Sequence, residues 1–276
     1  MKIIKYLKNF IKYMKSGGVV YTTVTTTNGN ERFKGKKVLV TGGSSGIGFA
    51  IAKQYISEGA TVLITGRNEQ SLKEAKEKIN SSSLLTLQWD VAEVESQKTK
   101  LADAIKMLGG FDIFVNNAGV YDESGWKNIS PEMYNKINDI NARGLFFICQ
   151  AEADYFVTNN IKGKIVNICS IAGLISGFNP YSVSKWSAVC ITKGLAKILA
   201  KKGINVNGVA PGNVVTNIHA GVRGKDVSEN AYMPAHLTGR YTLVEEIADT
   251  VLFLSGGTAG NIVGQVVAVD GGWSLN

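Results

Sequence analysis

The sequence predicts an α/β fold: one doubly wound parallel sheet of about seven strands, covered by helices on both faces. Three observations carry this. From Lys37 onward, short apolar runs alternate with stretches of helical periodicity. The runs are rich in Val, Ile and Leu without strict apolar–polar alternation, which suits strands buried on both sides. Glycines gather where a run gives way to a helix, not in repeats. With right-handed crossovers such a chain winds into a Rossmann-like sheet.

The run VLVTGG (38–43) ends in glycines, and 47–58 has the spacing of an amphipathic helix. TVLITGR (61–67) is the second strand, and 69–80 a polar, lysine-rich helix. LLTLQWD (84–90), a helix over about 95–108, and FDIFVNNAG (111–119) follow. Two longer helical stretches flank the strand KIVNICS (164–170), the second covering about 181–202. INVNGVAP (204–211) and QVVAVDGG (265–272) complete the set. Residues 31–276 thus read as one domain, with residues 1–30 as an extension ahead of it.

Composition narrows the function classes. Hydrophobic residues make up 45% of the 276, enough for a substantial core, while 19% charged residues and four prolines argue against disorder. The net charge of +8 invites a nucleic-acid reading, yet Lys2, Lys5, Lys8, Lys12 and Lys15 supply five of those charges. The remaining 260 residues carry only +3 and show no stripe of Arg and aromatics, which excludes a nucleic-acid partner. Residues 1–16 place lysines on one side and Ile3, Ile4, Leu7, Phe10, Ile11 and Met14 on the other. The pattern fits an amphipathic helix lying on an anionic membrane surface or a partner, or else a dispensable extension. Residues 17–30, rich in Thr and Gly, read as a linker. No apolar run approaches the ~20 residues of a membrane-spanning helix. Cys149, Cys169 and Cys190 lie in apolar runs with no metal-ligand spacing, and read as core thiols in a reducing, cytoplasmic compartment.

The chemistry is concentrated at the expected carboxyl ends of the strands. Between the first strand and first helix stand Gly42, Ser44, Ser45, Gly46, Ile47 and Gly48. Gly42 permits a tight exit, and Gly46 and Gly48 let the backbone approach a pyrophosphate at the helix N-terminus. The second strand ends in Gly66-Arg67-Asn68, with no acid to grip a ribose 2′-hydroxyl. Arg67 suits a 2′-phosphate, so NADP(H) is favoured over NAD(H), with a solvated arginine as the bland alternative. Asp90, with Val91 behind it, is placed to accept from an adenine amino group or to cap the next helix. Asn116, Asn117, Ala118 and Gly119 line the crevice where strand order reverses, with the amides tying neighbouring strands together. Ser170 ends the fifth strand, and Tyr181 and Lys185 share one helix face four residues apart. A neighbouring ammonium favours phenolate, so Tyr181 can exchange a proton with a carbonyl or alcohol oxygen that Ser170 also holds.

The joint order of Thr41-Gly-Gly-Ser-Ser-Gly-Ile-Gly48, Asp90, Asn116-Asn-Ala-Gly119, Asn141, Ser170, Tyr181-x-x-x-Lys185 and Pro211-Gly212 resembles the short-chain dehydrogenases/reductases. The resemblance spans about residues 35–273 and is to the branch of roughly 250 residues. It implies hydride transfer between a nicotinamide dinucleotide and a carbonyl or secondary alcohol. It also implies that Asn141 holds a relay water, that Lys185 binds the nicotinamide ribose, and that Thr216 contacts the carboxamide, with Pro211 and Gly212 beside it. A homotetramer or homodimer is implied as well. Four features depart from the pattern: Ser170 and Tyr181 stand closer together than in many relatives, Ser45 replaces a basic residue common in NADP(H) enzymes, Trp186 is unusually bulky, and the N-terminal extension of some 30 residues lies outside it. Substrate choice falls to about residues 213–240, with Ile218, His219, Val222, Arg223, Lys225, Tyr232 and Met233, completed by Tyr121, Trp126 and Phe178. The competing reading is a catalytically silent dinucleotide-binding sensor or scaffold on the same fold.

Overall fold

The computed structural model describes residues 31–122, 126–214 and 233–275, together with Ile11. The amphipathic segment and linker, Thr216, and the segment from Ile218 to Tyr232 therefore lie outside the described residues.

Successive strand side chains point to opposite faces, and here both faces are apolar. In β1 (Lys37–Thr41) Leu39 packs on one side, while Val38 and Val40 pack on the other. Leu63 and the pair Val62 and Ile64 repeat the division in β2 (Thr61–Gly66). β3 (Leu84–Gln88), β4 (Ile113–Asn116), β5 (Lys164–Ile168), β6 (Asn205–Pro211) and β7 (Val266–Val269) complete the sheet. All pairs are parallel, in the order β3-β2-β1-β4-β5-β6-β7. Seven parallel strands in one doubly wound sheet agree with the expectation.

Helices α1 (Gly46–Ser57), α2 (Glu69–Ile79) and α7 (Val244–Ser255) contribute Ile51, Leu72 and Val251 to one face. Helices α3 (Gln97–Leu108), α5 (Leu145–Thr158) and α6 (Pro180–Leu199) contribute Leu101, Ile148 and Ala188 to the other. Local chemistry sets several ends. Asn68 Oδ1 accepts from Ser71 N–H at 2.9 Å to open α2, and Asn80 closes it at φ 48°. Ser130 and Pro131 open α4 (Pro131–Asn138), which runs through a widened π-type turn, Asp139–Gly144, into α5. Arg240 pairs with Glu246 through both terminal guanidinium nitrogens, and Glu246 Oε2 also accepts from Leu243 N–H at 2.8 Å.

The strands are shorter at their carboxyl ends than the apolar runs suggested. FDIFVNNAG pairs only over Ile113–Asn116, and LLTLQWD only over Leu84–Gln88. The residues beyond leave the ladder to form the site. Cys149 and Cys169 are buried as expected, but Cys190 is exposed. It falls on the outward face of α6 with Val183 and Trp186, seven and four positions earlier, so its apolar sequence neighbourhood misleads. Among the described residues no helix is long and apolar enough to cross a membrane.

Candidate active site

Strand order reverses between β1 and β4, and a doubly wound sheet opens a crevice beyond the carboxyl ends there. Thr41 and Asn117 stitch its floor. Buried Thr41 Oγ1 accepts from the backbone N–H of Asn117 at 3.0 Å and of Ala118 at 3.1 Å. Asn117 Nδ2 donates to the carbonyls of Thr41 at 3.0 Å and Gly42 at 2.9 Å. A Cβ on Gly48 would lie 2.3 Å from Gly42 O and 2.4 Å from Asn117 Nδ2, so only glycine lets α1 approach this turn. Gly42 and Gly46 have φ of 63° and 54°, the left-handed region that a glycine adopts without strain.

That turn presents an anion-binding end. Ser45 caps α1 in an extended conformation with no side-chain cap bond, and the first turn holds no acid. Phe49 N–H is the first to bond back, to Ser45 O at 3.1 Å. The N–H groups of Gly46, Ile47 and Gly48 therefore precede the helix ladder, at the positive end of its dipole. Ser44 is half-buried, and its Oγ faces the end of β2, where a Cβ on Gly66 would meet it at 3.5 Å. Arg67, next along, is exposed, and Asn68 is occupied in capping α2. A groove of about 360 Å³ runs from Arg67 to Val120, Tyr121, Met133 and Ile137, with Asp122, Glu132 and Lys136 also on its wall. An extended dinucleotide fits these features: a phosphate end at α1, no carboxylate at the second strand's exit, and a groove beside it.

Asp90 lies two residues beyond β3, and its Oδ1 accepts from Ala92 N–H at 3.0 Å. It shapes its own turn instead of capping α3. Val91 is buried, and its carbonyl accepts from Gln97 Nε2 at 2.9 Å, while the same amide donates to Gly144 O at 3.0 Å. Gln97, which the sequence reading passed over, thus joins the exit of β3 to the π-type turn.

Ser170 stands just past β5, buried, with its Oγ accepting from Ala172 N–H at 3.2 Å. The short connection to α6 holds one tight turn, Ile171–Gly173, and ends where Asn179 Oδ1 accepts from Ser182 N–H at 2.8 Å. Pro180 then opens α6, which places Tyr181 in its first turn and Lys185 one turn on. Lys185 Nζ lies 5.6 Å from the Tyr181 ring centroid and donates to Ile168 O at 3.0 Å. The ammonium is buried on a backbone carbonyl beside the phenol ring, with further N–H donors for a ribose hydroxyl. Bulky Trp186 points outward, and its Nε1 donates to Ile175 O at 3.1 Å, tying the connection to the helix.

Asn141 is buried in the π-type turn. Its Oδ1 accepts from Val120 N–H and its Nδ2 donates to Val120 O, both at 2.8 Å. Nδ2 also donates to Ser184 Oγ at 3.1 Å, and Ser184 donates to Tyr181 O at 2.7 Å. The amide therefore braces the loop after β4 against the start of α6. Ser184 was missed in the sequence; its signal is its place on the buried face between Tyr181 and Lys185.

Tyr121 packs edge-on against Tyr181, with centroids 4.8 Å apart at 82°. Trp126 and Phe178 are largely exposed, 65% and 83%, and touch no described apolar wall strongly enough to be buried by it. The structure also separates the two adjacent asparagines. Both tie neighbouring strands together as expected, Asn117 joining the ends of β1 and β4 at the crevice and Asn116 joining β4 to β5 within the core. Asn116 donates from Nδ2 to Glu152 Oε2 at 2.9 Å and to Asn167 Oδ1 at 3.0 Å. Pro211 ends β6, and Gly212 N–H donates to Val269 O at 3.1 Å. Among the described residues no group of His, Cys, Asp and Glu is arranged to hold a metal ion.

Comparison with known proteins agrees with this geometry. Residues 42–274 match the family model described as Enoyl-(Acyl carrier protein) reductase. The chain is 35% identical over 255 residues to glucose 1-dehydrogenase of Gluconobacter oxydans, covering 89% of this chain and 94% of that protein. It is 34% identical over 248 residues to the 3-oxoacyl-(acyl-carrier-protein) reductase of Chlamydia muridarum, covering 88% and 99%. It is 30% identical over 260 residues to 3beta-hydroxysteroid dehydrogenase 2 of Eggerthella lenta, covering 89% and 97%. The crystal structure of a short chain dehydrogenase from Bacillus anthracis superposes with a TM-score of 0.78 at 30% identity, covering 87% of this chain and 97% of that one. Matched along nearly its whole described length by dehydrogenases and reductases, and folded as one of them, the chain is an oxidoreductase of the short-chain dehydrogenase/reductase family.

Proposed function

We propose that residues 31–276 act as one catalytic unit that moves hydride between NADP(H) and a carbonyl or secondary alcohol, with Tyr181 as general acid and base. The observation that carries this is the joint placement of Tyr181 and Lys185 on the crevice side of α6, with Lys185 Nζ 5.6 Å from the phenol ring. When bound, the dinucleotide would supply the hydride that the carbonyl carbon takes up in the direction of reduction. Tyr181 Oη gives its proton to the carbonyl oxygen, so C=O becomes CH–OH, and Ser170 Oγ holds that oxygen. Lys185 neutralises the charge left on Tyr181 and binds the nicotinamide ribose. The side-chain amide of Asn141 is committed to Val120 and Ser184, so the relay water is assigned to its main-chain carbonyl. Tyr181 is reprotonated along that path, and oxidation of an alcohol reverses each transfer.

Cofactor contacts are assigned to Gly42, Ser44, Ser45, Gly46, Ile47 and Gly48 at the phosphates, and to Asp90 and Val91 at the adenine. Asn117, Ala118 and Gly119 line the crevice, and Pro211, Gly212 and Thr216 close the nicotinamide end. Arg67 and Ser44 support a 2′-phosphate. Fluorescence titration with NADPH and NADH is expected to give tighter NADPH binding. Arg67→Ala is expected to weaken NADPH about 10- to 100-fold, the value of charge-assisted hydrogen bonds, and to leave NADH unchanged. Tighter NADH binding would replace NADP(H) by NAD(H) in this reading, and binding of neither would overturn the cofactor reading; dinucleotide binding without turnover of any carbonyl or alcohol would favour the silent sensor or scaffold.

The same reading includes self-association. Phe146 and Phe147 on α5 are 50% and 40% exposed, and Val183 and Trp186 on α6 are exposed as well, a surface that favours cover. Light scattering after size exclusion is expected to give a dimer or tetramer mass. A mass of 29.6 kDa, one chain, would overturn this part. The three free thiols support a reducing, cytoplasmic setting.

A further inference from the structure

His236, which neither the proposed tetrad nor the glycine motifs include, is buried to 2% exposure beside the end of β6. Its Nε2 accepts from the backbone N–H of Asn213 at 3.1 Å. Accepting there places the imidazole proton on Nδ1, and Nδ1 has no partner among the described residues. An apolar side chain of similar size would avoid that unpaired donor, so packing alone gives no reason for a histidine.

The ring is wedged between two glycines. A Cβ on Gly212 would lie 2.8 Å from Nε2, and a Cβ on Gly271 would lie 2.8 Å from Nδ1. The ring rides on a closed turn in which His236 N–H donates to Met233 O and Met233 N–H to Gly239 O. Thr238 N–H, donating to Gly271 O at 3.1 Å, anchors the turn beyond β7. The segment after β6 is thereby strapped at consecutive residues. Gly212 N–H is held by Val269 O, Asn213 N–H by His236, and Asn213 O by Thr242 N–H at 2.9 Å. Two of these straps are backbone pairs that any sequence supplies; the imidazole is the side-chain strap on the peptide N–H between them.

We infer that His236 is a positioning residue for the nicotinamide half of the cofactor: its Nε2 fixes the Gly212–Asn213 peptide at the end of β6. This rests on the reading that Pro211 and Gly212 close the nicotinamide end. His236 touches neither substrate nor cofactor, and acts through the backbone it holds. Its loss must then weaken the whole dinucleotide and spare the adenosine half, which binds at β1, β2 and β3.

The test compares His236→Leu, His236→Asn and His236→Gln by titration with the dinucleotide that the wild type binds more tightly. The matching adenosine half is titrated alongside (adenosine 2′,5′-bisphosphate for NADPH, ADP for NADH). Gln carries an acceptor out to the Nε2 position, whereas Asn stops short and Leu has none. The Leu and Asn variants are expected to lose about tenfold in dinucleotide affinity, the worth of one hydrogen bond, with Gln near wild type and the adenosine half unchanged throughout. If Leu does not fold, the Asn–Gln pair carries the same contrast. Unchanged dinucleotide binding in Leu or Asn, or equal loss of both ligands, would overturn the inference. Wild-type protein that binds neither dinucleotide would overturn the cofactor reading, and the role of His236 with it.

Discussion

Tyr181→Phe is expected to lower turnover by about 10²- to 10⁴-fold, the usual contribution of a positioned acid or base, with dinucleotide affinity nearly unchanged. The substitution deletes one hydroxyl and keeps the ring. The edge contact with Tyr121 at 4.8 Å and the approach of Lys185 Nζ therefore survive. On the proposed mechanism only the proton that completes C=O reduction is lost, so the defect belongs in kcat, while the titration of NADPH fluorescence stays in place. Steady-state kinetics on any carbonyl the wild type reduces would check it. Undiminished turnover in this variant would remove Tyr181 from the mechanism.

Glu152→Gln is expected to stabilise the protein, and to do so more as pH rises. Glu152 lies on α5 with no exposure. Burial pushes its carboxyl up to about 8, although the hydrogen bond from Asn116 Nδ2 pulls the other way. Its Oε1 and the nearby Asn116 Oδ1 both lack partners among the described residues. The folded state keeps this proton where the unfolded chain, titrating near 4.5, has lost it. Between those two values the folded state binds more protons, so its stability falls as pH rises. Below about 4.5 both states are protonated and the term vanishes; above about 8 the full cost is felt. The neighbouring thiols Cys149 and Cys169 are also pushed up by burial, so they stay neutral across this window. Gln supplies the same acceptor for Asn116 Nδ2 and adds a donor suited to Asn116 Oδ1, with no charge to bury. Near pH 8 the gain is expected to be a few kcal/mol, on the order of 5–10 °C in Tm for a chain of this size. It should shrink toward zero near pH 5. Thermal melts across pH 5–8 decide this, and a difference independent of pH would show that the carboxyl does not titrate between the two states.

Much of the site could be read along the chain because its parts are local. The turn at Gly42–Gly48 needs left-handed backbone and a close helix approach, and both demands are met by neighbouring residues. Tyr181 and Lys185 share a face because the helix period, set by backbone hydrogen bonds, puts residues four apart together. The candidate site residues stand at strand ends because apolar runs stop where polar residues begin. Seven parallel strands followed from the same alternation.

What escaped that reading depends on partners far apart in the chain. Asn116 and Asn117 are adjacent and chemically identical, yet Asn116 ties β4 to β5 inside the core and Asn117 ties β4 to β1 at the crevice. The parallel register of β4 on β5 sets Asn116 opposite Asn167, and α5 brings Glu152 over them. Gln97 meets Gly144 across 47 positions, Asn141 meets Ser184 across 43, and Asn213 meets His236 across 23. Cys190 faces solvent because of which side α6 turns to the sheet. Helix period, turn chemistry and strand alternation are written in neighbouring residues and survive in a list of letters. Register, layer packing and the pairing of buried polar groups are settled only when the elements compete for the same core, where each unpaired donor or acceptor has a cost that the whole fold must offset.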